Sequence, residues 1–136
     1  MPTKAAYLIP ALSMLCACYL DRPLGDDGLA RLTKIRLASY KLALENYRSD
    51  VGTYPDSHQG LKALCERPSN EQRWKGPYLQ HEFLDDGWER PFIYLYPGNH
   101  GQKPDIISFG KDGQPGGTGP NEDIVSWQMN DGDKDR

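Results

Sequence analysis

The chain has 136 residues, enough for one domain with its ends. Its formal net charge is -3 and no Lys/Arg cluster stands out, so it carries no basic footprint for nucleic acid and none that would seek an anionic membrane. With 38% hydrophobic residues, 14 glycines and 11 prolines, a small core, many turns and a large polar surface are expected.

Residues 5–20, AAYLIPALSMLCACYL, are apolar and uncharged behind Lys4. The run is short for a membrane span of about 20 residues and Pro10 interrupts it, so a signal-peptide core or a short membrane or lipid anchor fits better. Leu15-Cys16-Ala17-Cys18 is similar to the cleavage-and-acylation box of bacterial lipoproteins, with Cys18 as the lipidated residue. An ordinary cleaved signal and a short uncleaved anchor remain the alternatives. The three cysteines, Cys16, Cys18 and Cys65, form neither a disulfide framework nor a zinc pattern. Cys65 falls in an apolar stretch and reads as core.

Residues 21–28 read as a breaker-rich linker in which Asp26 or Asp27 caps the next helix. From Leu29 to Arg48 the period is helical, with Leu37, Tyr40, Leu44, Tyr47 and Val51 forming one apolar stripe. Leu29, Leu32, Ile35 and Leu42 add apolar surface on a second side. Gly52 is placed near the C-cap. A short second helix is expected over 58–67, with Leu61, Leu64 and Cys65 as its apolar face and Pro68 as its stop. A polar loop follows, pinned by Trp74 and Tyr78. Asp85 and Asp86 read as turn acids before Trp88. Strands are expected at 91–96 and 106–109, antiparallel through a Pro97-Gly98 turn, and a third at 124–127. Residues 128–136 read as a flexible tail. The order is α+β: a long N-terminal helix packed on a small three-stranded antiparallel sheet, the main domain spanning 29–127.

Between the last two strands lies GKDGQPGGTGPNED, with glycines at 110, 113, 116, 117 and 119. It has almost no apolar side chain to bury, and glycine loses the most backbone freedom on ordering. Side-chain oxygens of Asp112, Asn121, Glu122 and Asp123 stand at its two ends, and a hard cation such as Ca²⁺ takes six to eight oxygens, carbonyls included. The same Asp-Gly and Pro-Gly pairs also build ordinary surface turns.

Several blocks, in order, resemble the major, G-type pseudopilin family of the bacterial type II secretion system: LALENYRSDVGTYP, HQGLKALCERP, WKGPYL, PFIYLYPGNHG and DIISFGKDGQPGG with EDI and a tryptophan. The resemblance covers about residues 32–127. It implies a helix spine with a C-terminal sheet, and assembly with other pseudopilins or secretion-machine subunits into a periplasmic filament that drives folded proteins through the outer membrane. It also implies calcium in the loop before the last strand. Carried over by position, Asp112 and Asp123 are side-chain ligands and the carbonyls of Phe109 and Gln114 contribute, with Asn121 and Glu122 as further donors.

The front departs from the family. Pseudopilins begin with a basic leader, a Gly-Phe-Thr-Leu-x-Glu cleavage motif and about 20 apolar residues. No Glu lies in residues 1–44, and the first acid is Asp21. The expectation is a pseudopilin-type domain on a different export and anchoring device, periplasmic and tethered to the inner or outer membrane. Two roles are carried forward: a calcium-stabilised structural subunit supporting protein export, and a lipid-anchored periplasmic binding module that forms no filament. An enzyme is not expected, since His58, His81 and His100 are scattered and no catalytic grouping is suggested.

Overall fold

The computed structural model describes residues 23–80 and 85–129. The anchor at 1–20, Cys18, His81 and all of the tail beyond Met129 lie outside them.

Helix α1 runs Asp26–Val51. It begins three residues earlier than the period alone predicts, because Gly25 takes the N-cap position in an extended conformation. Asp26, Asp27 and Gly28 are therefore helical rather than linker. The two acids occupy the first turn, where a negative charge complements the helix dipole. Gly52 closes the helix at φ 96, its N–H donating to the Arg48 carbonyl. A side chain at that φ would be strained, so glycine is the residue the stop requires.

The core face of α1 is the expected stripe. Leu37, Tyr40, Leu44, Tyr47 and Val51 are all buried, joined by Ala43 and Thr33. Burying each large apolar side chain stabilises the fold by about 1.5–3 kcal/mol. Ile35 and Leu42 point the other way and stay 58% and 65% exposed.

The second helix is not α-helical. Residues 57–60 are turns and only Leu61–Leu64 is helical, as a 3-10 turn. Gly60 at φ 62 breaks the pattern one residue before it. The segment still buries Leu61, Ala63, Leu64 and Cys65 as read. Burial pushes the Cys65 thiol up, with the Glu66 charge adding to it. Trp74 and Tyr78 pin the following loop: the Trp74 indole N–H donates to the Ala63 carbonyl, and the Tyr78 hydroxyl to Asp50. Their rings meet edge to face, 5.6 Å apart.

Strands β1 (Ile93–Leu95), β2 (Asp105–Ser108) and β3 (Ile124–Val125) form one antiparallel sheet in that order. Tyr94 pairs with Ile106, and both side chains are buried in the core that α1 covers. Ile93, Ile107 and Val125 share the opposite face. β1 and β3 are shorter than expected, and β2 keeps its four residues but begins one position earlier. Tyr96 N–H and C=O turn aside to the Ser57 hydroxyl, and Ser126–Gln128 coils into a 3-10 turn. Gln128 and Met129, assigned to the tail, are thus part of the domain, with Lys41 Nζ donating to the Met129 carbonyl.

Asp86 is not a surface turn acid. It is 1% exposed and organises the turn between Asp85 and Pro91. Its Oδ1 accepts the N–H groups of Trp88 and Arg90, and its Oδ2 accepts the Ser108 hydroxyl at 2.6 Å. The turn is fastened to α1 by Arg36, which donates to the carbonyls of Asp85 and Asp86, and by Thr33, which accepts the Gly87 N–H. A Cβ on Gly87 would lie 2.3 Å from the Leu29 carbonyl oxygen, so only glycine allows this approach.

Candidate functional site

Strand β2 ends at Ser108, and its hydroxyl also accepts the Gly110 N–H. The buried carboxylate of Asp86 therefore reaches, through Ser108, the first residue of the glycine-rich loop. Gly110 sits at φ 66, and a Cβ there would lie 2.8 Å from the Glu122 carbonyl oxygen. The two ends of the loop can close on each other only because this position is bare. Closure is made by Lys111 N–H donating to the Pro120 carbonyl at 2.9 Å.

The structure brings some of the expected donors into use. Asp123 Oδ2 accepts the Gly116 N–H at 2.9 Å, tying the loop's far end to the start of β3. Asp123 Oδ1 is buried and has no hydrogen-bond partner. Asp112 turns back on its own loop, its Oδ1 accepting the Gln114 N–H. Glu122 and the Gln114 side chain are exposed, Asn121 is half-buried in a 3-10 turn over Gly119–Asn121, and Phe109 is half-buried just past β2.

The donor chemistry fits a hard cation. An uncompensated carboxylate oxygen out of water is costly, and Asp123 Oδ1 is one. Among the described residues no three His, Cys, Asp or Glu side chains cluster as metal ligands. A cation held here would therefore need backbone carbonyls beside the carboxylates, a mixture calcium accepts.

Three fastenings at the loop's neck have no counterpart in the sequence reading. Arg90 Nη1 donates to the carbonyls of both Gly110 and Lys111, each at 2.8 Å. Its guanidinium lies against Gly113, where a Cβ would come within 3.0 Å of it. The Lys111 ammonium pairs with Asp26 in the first turn of α1 at 2.9 Å. The loop is thus held by polar protein contacts as well as by whatever fills it. No local signal marks these partners, since Arg90 is 20 residues from Gly110 and Asp26 is 85 from Lys111.

Elsewhere, His100 Nδ1 meets the buried Asp105 carboxylate at 2.9 Å, and its ring stacks on Trp127 at 3.6 Å. Among the described residues no helix is long and apolar enough to cross a membrane.

A long helix laid on a three-stranded antiparallel sheet, its last connection a glycine-rich carboxylate loop, defines a pilin-like structural subunit. The model of the family "Type II secretion system (T2SS), protein G" matches residues 24–127. Type II secretion system core protein G of Vibrio cholerae is 37% identical over 129 residues, covering 91% of this chain and 87% of that protein. The core protein G of Xanthomonas campestris pv. campestris is 37% identical over 99 residues, 73% of this chain and 66% of its own length. The crystal structure of the major pseudopilin from the type 2 secretion system of enterohaemorrhagic Escherichia coli superposes with a TM-score of 0.62 at 30% identity, covering 76% of this chain and 90% of that one. The chain belongs to the type II secretion system protein G family, the pseudopilin subunits of that machine. The match begins at residue 24, about eight residues before the span over which the resemblance is read from the sequence and two before α1.

Proposed function

We propose that this chain works as a calcium-stabilised structural subunit of a type II secretion machine, on the periplasmic side and joined to the membrane through its N-terminal segment. Family membership across the whole described domain supports the subunit role, and it favours a part that supports export over an enzyme or a stand-alone binding module. The observation that carries the calcium reading is Asp123: one carboxylate oxygen holds the loop and the other is buried without a partner. Asp112 and Asp123 would hold the ion with the carbonyls of Phe109 and Gln114, and Asn121 and Glu122 lie within the same short segment. When bound, the ion supplies a charge that ties the far end of the loop to β3.

The test is thermal unfolding with calcium or a chelator. At a hundredfold its dissociation constant, calcium adds about 2.7 kcal/mol to stability by linkage. Asp112→Ala removes most of that increment while the far-UV signal of α1 stays. Identical melting of parent and variant in calcium would leave Asp112 a turn residue. Crosslinking of the full chain to other pseudopilins in cells tests the subunit role separately.

A further inference from the structure

We propose that Arg90 is a positioning residue for the glycine loop: a cation carried by the protein that holds the loop's neck in shape whether or not a metal is bound. The inference goes beyond the calcium reading and stands without it. Nη1 of Arg90 donates to two successive carbonyls, those of Gly110 and Lys111, which would otherwise turn to water or to an ion. A guanidinium is always charged, so both are charge-assisted bonds. The guanidinium also lies against Gly113, so its donors and its packing bear on the same four-residue stretch, 110–113.

The other contacts divide the loop in two. At the neck, Lys111 is held through its carbonyl by Arg90, through its N–H by Pro120 and through its ammonium by Asp26. Among the described residues, 113–119 have, besides their own turns and the packing of Gly113 on Arg90, one hydrogen-bonded tie, from Gly116 to Asp123. Arg90 is itself aimed by Asp86, which accepts its N–H and donates to its carbonyl from the backbone on the other side of the turn. A fixed turn, a fixed guanidinium and a fixed neck follow in sequence. The far half is the part left for an ion to order.

Hydrogen exchange in chelator, read by mass spectrometry on the full chain, separates this from a general loss of stability. Arg90→Met keeps an apolar stem and loses every donor. Arg90→Lys keeps a charged group with three donors, enough for two carbonyls. In the Met variant the amides of Lys111, Asn121 and Glu122 should exchange at least tenfold faster than in the parent. Those of residues 37–51 should be unchanged. The Lys variant should recover most of the protection. The proposal is overturned if the Met variant protects the loop like the parent, if Lys fares no better than Met, or if helix and loop accelerate together. Repeating the parent with calcium then reports on the metal alone, through residues 113–119.

Discussion

Replacing Asp86 by alanine tests whether one buried carboxylate governs the path from α1 to the loop. Three donors point at it: two backbone N–H groups and the Ser108 hydroxyl. Each buried donor left without a partner costs about 1–3 kcal/mol. Some of that is recovered, because the variant no longer desolvates a charge and the Ser108 hydroxyl can rotate. A net loss of about 3–5 kcal/mol follows, large against a total of roughly 5–15 kcal/mol for a domain. For a domain near 100 residues this lowers Tm by at least about 12 °C. Asp86→Asn should cost only about 1 kcal/mol. Its amide oxygen can still accept both N–H groups, and its NH₂ can donate to Ser108, whose oxygen has a lone pair to spare. Urea unfolding followed by circular dichroism measures both. A double-mutant cycle with Ser108→Ala should return a coupling of about 0.5–3 kcal/mol. If the alanine variant lies within 1 kcal/mol of the parent, or asparagine is as damaging as alanine, the reasoning fails.

Other outcomes follow from the same contacts. Tyr40→Phe should leave stability unchanged or raise it by up to about 1 kcal/mol, since the Tyr40 hydroxyl is buried without a partner; a loss above 1 kcal/mol in denaturant titration would show a partner there. Gly87→Ala should destabilise by about 1–3 kcal/mol, because its methyl group meets the Leu29 carbonyl; an unchanged urea midpoint would mean the turn can lift away freely. Burial holds the hydroxyls of Tyr40 and Tyr94 above the ordinary tyrosine range, so the unfolded chain gives up these protons first as pH rises. Their contribution is complete below about pH 10 and shrinks above it. Absorbance at alkaline pH should show these two ionising only together with unfolding.

Much of the architecture was readable because it rests on periodic burial. The Tyr/Leu stripe of α1, the three-stranded antiparallel sheet and the Gly52 stop each follow from local patterns of apolar residues or glycine. The short helix over 58–67 was misread because its apolar spacing suits a 3-10 turn as well as an α-helix, and Gly60 selects the former. The start of α1 was misplaced because two acids resemble caps as much as first-turn residues. Asp86 and Arg90 escaped for a different reason. In sequence they are charged residues in a turn, and their roles come from partners that only the folded chain brings near. The loop's glycines announced a special backbone, whereas the protein cation at its neck was silent.

The contact between α1 and the turn at Gly87 also has a mechanical side. Thr33 and Arg36, one helical turn apart, reach across to three consecutive residues, while the Gly87 backbone is wedged against the Leu29 carbonyl. A pull on the helix is therefore shared among several contacts to the turn instead of falling on one. Asp86 and Ser108 carry the same run of polar contacts on into β2, so a load on the spine reaches the sheet through bonded neighbours.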